Sequence, residues 1–151
     1  MELDRKEVQI DGSSVKIGII IPYFSESIGL ELLENCKKEL LNQNVPEENI
    51  IIKRVAGALE TPYASMKLVE KESPDAIIAL GAIIRGESSH YDLVTNKTYD
   101  GLMKIQLKYK TPIIFGILTC ENEKQARERS SKSGLNKGKQ YAQAALIQAT
   151  L

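Results

Sequence analysis

Four short apolar runs rich in β-branched residues, each followed by a segment of helical pattern, restrict what this chain can fold into. They occupy residues 15–21, 50–55, 76–80 and 113–118. Each is nearly continuous rather than alternating, as expected of parallel strands covered on both faces. Residues 25–42 set Ile28, Leu32, Leu33, Cys36 and Leu40 on one helical stripe. Residues 61–71 and 89–108 read as two further helices, and 121–131 and 136–150 as two more at the C-terminal end. Strand and helix alternate, which predicts an α/β sandwich of three layers: a four-stranded parallel sheet, right-handed crossovers and helices on both faces.

Residues 1–14 stand outside this pattern, and residues 15–151 form one domain. Residues 7–10 read as a short strand that the Asp11-Gly12 turn detaches from the main sheet. Such a strand either pairs with a neighbouring subunit's sheet edge or is a frayed terminus.

Charge and cysteine usage exclude several function classes. Twenty basic and twenty acidic residues cancel, so nothing favours broad binding to nucleic acid or membrane. No apolar run approaches a membrane span, and the opening Met-Glu-Leu-Asp-Arg-Lys lacks a signal-peptide pattern, so a cytoplasmic location is expected. Cys36 and Cys120 lie far apart without neighbouring ligand groups, which predicts reduced thiols and no metal site.

Ligands of parallel sheets bind beyond the carboxyl ends of the strands. Phe24-Ser25 follows the first run, Gly57-Ala-Leu-Glu60 the second and Gly81-Ala-Ile-Ile-Arg-Gly-Glu-Ser-Ser-His90 the third, with Phe115 onward assigned to the end of the fourth. The third segment carries most of the chemistry. Ser89-His-Tyr-Asp92 has the spacing of a capping box, which predicts a helix start. A strand end, a glycine loop and a helix N-terminus bring unpaired amides onto one spot, an anion site. The only histidine stands there as a proton carrier. Gly81 to Ser88 also fits the phosphate-loop spacing G-x-x-x-x-G-K-[ST] except at the lysine, where Glu87 stands; a carboxylate there would repel a nucleotide's outer phosphates. A single phosphate held by amides and a remote arginine fits better than a nucleoside triphosphate.

The remaining candidates are open between two readings. Glu60 precedes Pro62 in a first helical turn; its carboxylate either accepts hydrogen bonds from ligand hydroxyls or satisfies that helix's N-terminus. Arg129 and Lys137 flank the turn between the last two helices, as surface ion-pair partners or as ligand groups. Phe24 and Phe115, the two phenylalanines, either stack on a planar ring or fill core.

Five ordered blocks resemble the 6,7-dimethyl-8-ribityllumazine synthase family. They are Gly57-Ala-Leu-Glu-x-Pro62, Ala79-Leu-Gly-Ala-Ile-Ile-Arg-Gly-x-x-x-His-Tyr-Asp92, Pro112-Ile-Ile-Phe-Gly-Ile-Leu-Thr119, Gln125-Ala-x-Glu-Arg129 and Asn136-Lys-Gly138. The resemblance runs from about Lys16 to the C-terminus. It implies a sheet of flavodoxin-like order and a transferase of riboflavin biosynthesis that needs no cofactor. That transferase condenses 5-amino-6-(D-ribitylamino)uracil with 3,4-dihydroxy-2-butanone 4-phosphate. By the same resemblance Phe24 stacks on the pyrimidine with Ser25 at its side. Ala58, Leu59, Glu60, Ala82, Ile83 and Ile84 hold the ribityl chain and uracil, and Lys137 lies near the ribityl chain. The amides of Glu87 and Ser88 hold phosphate together with Arg129 of an adjacent subunit, Phe115 of an adjacent subunit closes the pocket, and His90 moves protons. A homo-oligomer follows: a pentamer, or a 60-subunit icosahedral shell of pentamers, with riboflavin synthase as a further partner. Leu59, Ser25 and Glu87 depart from the usual pattern, as does the segment Ser130-Ser-Lys-Ser-Gly-Leu135. The rival readings are an archaeal-type riboflavin synthase and a shell protein that binds lumazines without catalysis.

Overall fold

In the computed structural model, which describes residues 8–151, the four apolar runs become strands β1 (Ile17–Pro22), β2 (Ile50–Val55), β3 (Ala76–Ile84) and β4 (Ile113–Cys120). They form one parallel sheet in the order β2-β1-β3-β4. Five helices cover it: α1 (Glu26–Asn42), α2 (Thr61–Glu72), α3 (His90–Tyr109), α4 (Glu123–Ser130) and α5 (Lys137–Ala149). Short 3-10 turns over Glu47–Asn49 and Ala58–Glu60 precede β2 and α2.

Burial explains why these strands do not alternate. Ile17, Ile19, Ile78 and Leu80 pack with Leu32, Cys36, Leu40 and Tyr141 on the α1/α5 face. Ile20, Ile77, Ala79 and Ile117 pack with Leu68 and Leu102 on the α2/α3 face. Successive side chains enter opposite cores, so the buried positions of both faces are apolar and only outlying ones such as Lys53, Arg54 and Thr119 are polar. Burying each large aliphatic side chain stabilises the fold by about 1.5–3 kcal/mol.

Three sequence expectations need correction. Gly81-Ala-Ile-Ile84 is strand, not loop: Gly81, Ala82, Ile83 and Ile84 pair with Ile117, Leu118, Thr119 and Cys120. The two long edges of β3 and β4 zip together past the point where β1 stops, so the phosphate-loop spacing is incidental. Gly81 takes φ 149° in that strand, a conformation that favours glycine, and a Cβ there would stand 3.2 Å from the Pro22 ring. Second, no capping box forms, since the Ser89 side chain caps nothing and the Asp92 carboxylate accepts instead from Arg85 Nη1 at 3.5 Å. A guanidinium outcompetes a neutral amide for a carboxylate. Third, Phe115 is the third residue of β4, level with Ala79, and not at the strand end.

The expected strand over 7–10 falls partly outside the described residues, and residues 8–10 join no sheet of this chain. Gln43, just after α1, holds this segment instead. Its amide accepts from Ile10 N at 2.9 Å and donates to Val8 O at 2.8 Å, while its carbonyl accepts from Gly12 N at 2.6 Å.

Candidate active site

The carboxyl edge of the sheet collects four connections. After Pro22 the β1 backbone continues beside β2, with Tyr23 N donating to Val55 O at 2.8 Å and Phe24 N to Ala56 O at 3.2 Å. Ser25 then turns the chain into α1 in the left-handed region, φ 56°. The Phe24 ring is left 74% exposed, unusual for a phenylalanine beside a full core. A Cβ on Gly57 would meet Phe24 Cδ2 at 3.0 Å and Glu60 Oε2 at 3.1 Å. The ring and the carboxylate therefore converge above one glycine. Glu60 makes no side-chain hydrogen bond to the N-terminus of α2, which leaves its oxygens free to accept from a ligand. Ala58 O accepts from Thr61 Oγ1 at 2.7 Å, and Leu59 is exposed.

The next wall is an overhang. Pairing of β1 with β3 ends at Ile20 and Ala79, whereas β3 runs on to Ile84 against β4 alone. The backbone of Ala82, Ile83 and Ile84 thus lines a step beside the Phe24 turn, with polar groups toward β1 that no strand takes up.

Beyond Ile84 the chain makes a five-residue loop. Arg85 N donates to Cys120 O at 2.9 Å. The amides of Gly86, Glu87, Ser88 and Ser89 find no acceptor within the described chain, and all four residues are exposed. His90 N donates to Ser88 Oγ at 3.3 Å, and the His90 ring opens α3 from an exposed position. Free N–H groups ahead of a 20-residue helix suit an anion, by direct bonding and by the helix dipole.

Sequence inspection missed two arginines that brace this edge. Arg85 Nε donates to Glu121 Oε2 at 2.8 Å, and its guanidinium lies 4.2 Å from the centre of the Tyr91 ring. The hydrogen bond that Arg85 donates to Glu121 is the main cause holding the Arg85 pKa above its ordinary value, with the charge of Asp92 adding. Arg54 repeats the construction beside Phe24, 4.0 Å over the Tyr23 ring and paired with Glu26 at 3.0 Å. Arg85 and Glu121 are 36 residues apart, and only the β3–β4 register brings them together.

The three remaining candidates sit on β4, at the end of α4 and at the start of α5. Phe115 is half-buried and packs edge-on against Tyr99, ring centres 5.2 Å apart. Its strand is two places from β1, about 10 Å at ordinary strand spacing. Arg129 closes α4 with Nη1 on Gln125 O at 3.1 Å, and no hydrogen bond or ion pair joins it to the loop or to His90. It stands near Cys120, whose thiol burial pushes up and Arg129 pulls down. Lys137 is buried rather than at the surface, its Nζ 3.4 Å from Gln140 Oε1. Among the described residues no three His, Cys, Asp or Glu side chains cluster in a way that would hold a metal, and no helix is long and apolar enough to cross a membrane.

Sheet order defines a flavodoxin-like α/β domain, and its candidate site residues gather at the carboxyl ends of β1, β2 and β3. The pattern of the 6,7-dimethyl-8-ribityllumazine synthase family matches residues 14–151, and the chain belongs to that family. It is accordingly a transferase of the lumazine synthase type, acting on small molecules in riboflavin biosynthesis within a family that assembles as oligomers.

Proposed function

We propose that the chain condenses 5-amino-6-(D-ribitylamino)uracil with 3,4-dihydroxy-2-butanone 4-phosphate to give 6,7-dimethyl-8-ribityllumazine, releasing phosphate and water. One observation carries this reading: a loop with four unpaired amides leads into the lone histidine, on the same sheet edge as an exposed phenylalanine and an uncapped glutamate. The reaction needs each of these. Phe24 offers a flat apolar face to the pyrimidine, with Ser25 beside it. Glu60, with the backbone of Ala58 and Leu59, accepts from ribityl hydroxyls, and the β3 overhang of Ala82, Ile83 and Ile84 offers backbone partners to the uracil. The amides of Glu87 and Ser88 bind the phosphate, while the Glu87 carboxylate points away from it. His90 takes the proton from the attacking amine and returns it as water leaves the carbinolamine. It serves again when phosphate is eliminated and when the ring closes with loss of a second water.

Holding both substrates in one cleft supplies much of the acceleration. The cleft is completed by an adjacent subunit, which brings Phe115 over the pyrimidine and Arg129 to the phosphate; the place of Phe115 two strands from β1 and the lack of any hydrogen bond or ion pair between Arg129 and His90 within one chain support this. Lys137 lies near the ribityl chain. The assembly is a pentamer, closing into a 60-subunit shell, and it works in the cytoplasm, where riboflavin synthase consumes the product. Incubating the protein with both substrates and following lumazine fluorescence tests the proposal. Fluorescence that appears only when both are present is expected. Consumption of lumazine supplied alone would instead make the chain a riboflavin synthase, and inertness in both assays would leave a binding shell.

A further inference from the structure

We propose that Arg85 is the positioning residue that holds the anion-binding amides in place, an inference that rests on the functional reading above. The loop has little packing of its own. Its residues are exposed, and beyond the adjoining residues no atom lies within 4 Å of where a Gly86 Cβ would stand. A backbone so lightly held samples many conformations, and ordering it when the anion arrives weakens binding.

Apart from the helix start, where Ser89 O accepts from Asp92 N and Leu93 N and Ser88 Oγ accepts from His90 N, every hydrogen bond and ion pair tying this loop to the rest of the described chain passes through Arg85. Its N–H reaches Cys120 O at 2.9 Å, its Nε reaches Glu121 at 2.8 Å and its Nη1 reaches Asp92 at 3.5 Å, with the guanidinium stacked on Tyr91. The partners lie at the end of β4, in the connection after it and in the first turn of α3. The end of β3 and the start of α3 are thereby strapped to β4, and the four free amides hang between two fixed points. Two carboxylates already meet the guanidinium's charge, so Arg85 acts on phosphate through the loop's shape and is not itself a ligand. A lysine offers neither the planar fork nor the stacking face. Arg54 provides the internal comparison, because its stack on Tyr23 and pair with Glu26 brace the Phe24 turn instead.

Steady-state kinetics and titration of the full chain with inorganic phosphate test this in Arg85→Ala, Arg85→Lys, Glu121→Gln and Arg54→Ala. Arg85→Ala is expected to raise the KM for the phosphorylated ketone and the Kd for phosphate about tenfold, from the loss of two ion pairs and a stack. The pyrimidine KM and the thermal midpoint should hold, and Arg85→Lys should not rescue. Glu121→Gln, which keeps the side chain's shape, should give about a threefold effect in the same direction. Arg54→Ala should instead raise the pyrimidine KM. Equal changes in both KM values for Arg85→Ala, or full rescue by lysine, would overturn the proposal. If the wild-type chain forms no lumazine, the functional reading fails, while the phosphate titration still decides the role of Arg85.

Discussion

Gly57→Ala separates stability from function at this edge more cleanly than any other single change. The backbone at Gly57 is extended, φ −149° and ψ −174°, so alanine fits without strain. The new methyl would stand 3.0 Å from Phe24 Cδ2 and 3.1 Å from Glu60 Oε2. Ordinary contacts at such a carbon begin near 3.4 Å, so both side chains must retreat by a few tenths of an ångström. Both are exposed and can do so without disturbing either core. Glycine-to-alanine replacement at a compatible site stabilises by about 0.4–1 kcal/mol through the unfolded chain. That gain roughly offsets the crowding, so the denaturation midpoint should move little. Catalysis has no such slack, because misplacing a substrate by about 1 Å costs on the order of 10²-fold. A drop in kcat/KM of about 10- to 100-fold, with a raised KM for the pyrimidine, is therefore expected at unchanged stability. Urea denaturation alongside fluorimetric kinetics measures both quantities. Unaltered kinetics would refute the claim that ring and carboxylate form one ligand surface, and a loss of several kcal/mol in stability would show that Gly57 serves the fold.

Other outcomes follow from the same geometry. His90→Ala should lower kcat by roughly 10²-fold with substrate KM values little changed; full turnover in that variant would remove the proton carrier. Arg129→Ala should raise the KM for the phosphorylated ketone by about 10- to 100-fold, the range of a charge-assisted hydrogen bond, and leave the pyrimidine KM alone; equal effects on both would refute the phosphate assignment. Burial raises the Cys36 thiol pKa from an ordinary 9.0 in the unfolded chain, with Glu39 adding. The native state keeps the proton that the unfolded state releases, so stability holds below about pH 9 and falls above it, by up to about 1.4 kcal/mol per pH unit for this one group. A urea midpoint that stays flat to pH 10.5 would contradict this. Cys36 should also resist thiol reagents until the protein unfolds.

The sheet was legible in the residues because burial on both faces leaves a one-dimensional trace, an unbroken apolar run. The same trace misled at Gly81. Ala82, Ile83 and Ile84 continue the apolar pattern, but a glycine in front of them reads as the start of a loop. Only the pairing with β4 shows that the strand persists. The apolar run holding Phe115 stops at residue 118, whereas the pairing of β4 extends to Cys120 and leaves Phe115 well inside the strand. The anion loop and its histidine were visible because local order defines them. Arg54 and Arg85 were not, since their partners are set by sheet register and by helix entry angle, which spacing does not encode. Glu60 shows the remaining limit: its position follows from the turn, but only the coordinates show that its carboxylate does not cap α2.

Mixing two inactivated variants asks most directly whether the sheet edge is one half of a site completed by a second subunit. His90→Ala and Arg129→Ala chains would be unfolded together, refolded in equal amounts and assayed for lumazine formation with the phosphorylated ketone well below its KM, where each parent alone is nearly inactive. Random assembly puts an intact His90 opposite an intact Arg129 at about a quarter of the interfaces, so activity should return toward about 25% of wild type. Mixed assemblies no more active than the average of the two parents would contradict a shared site.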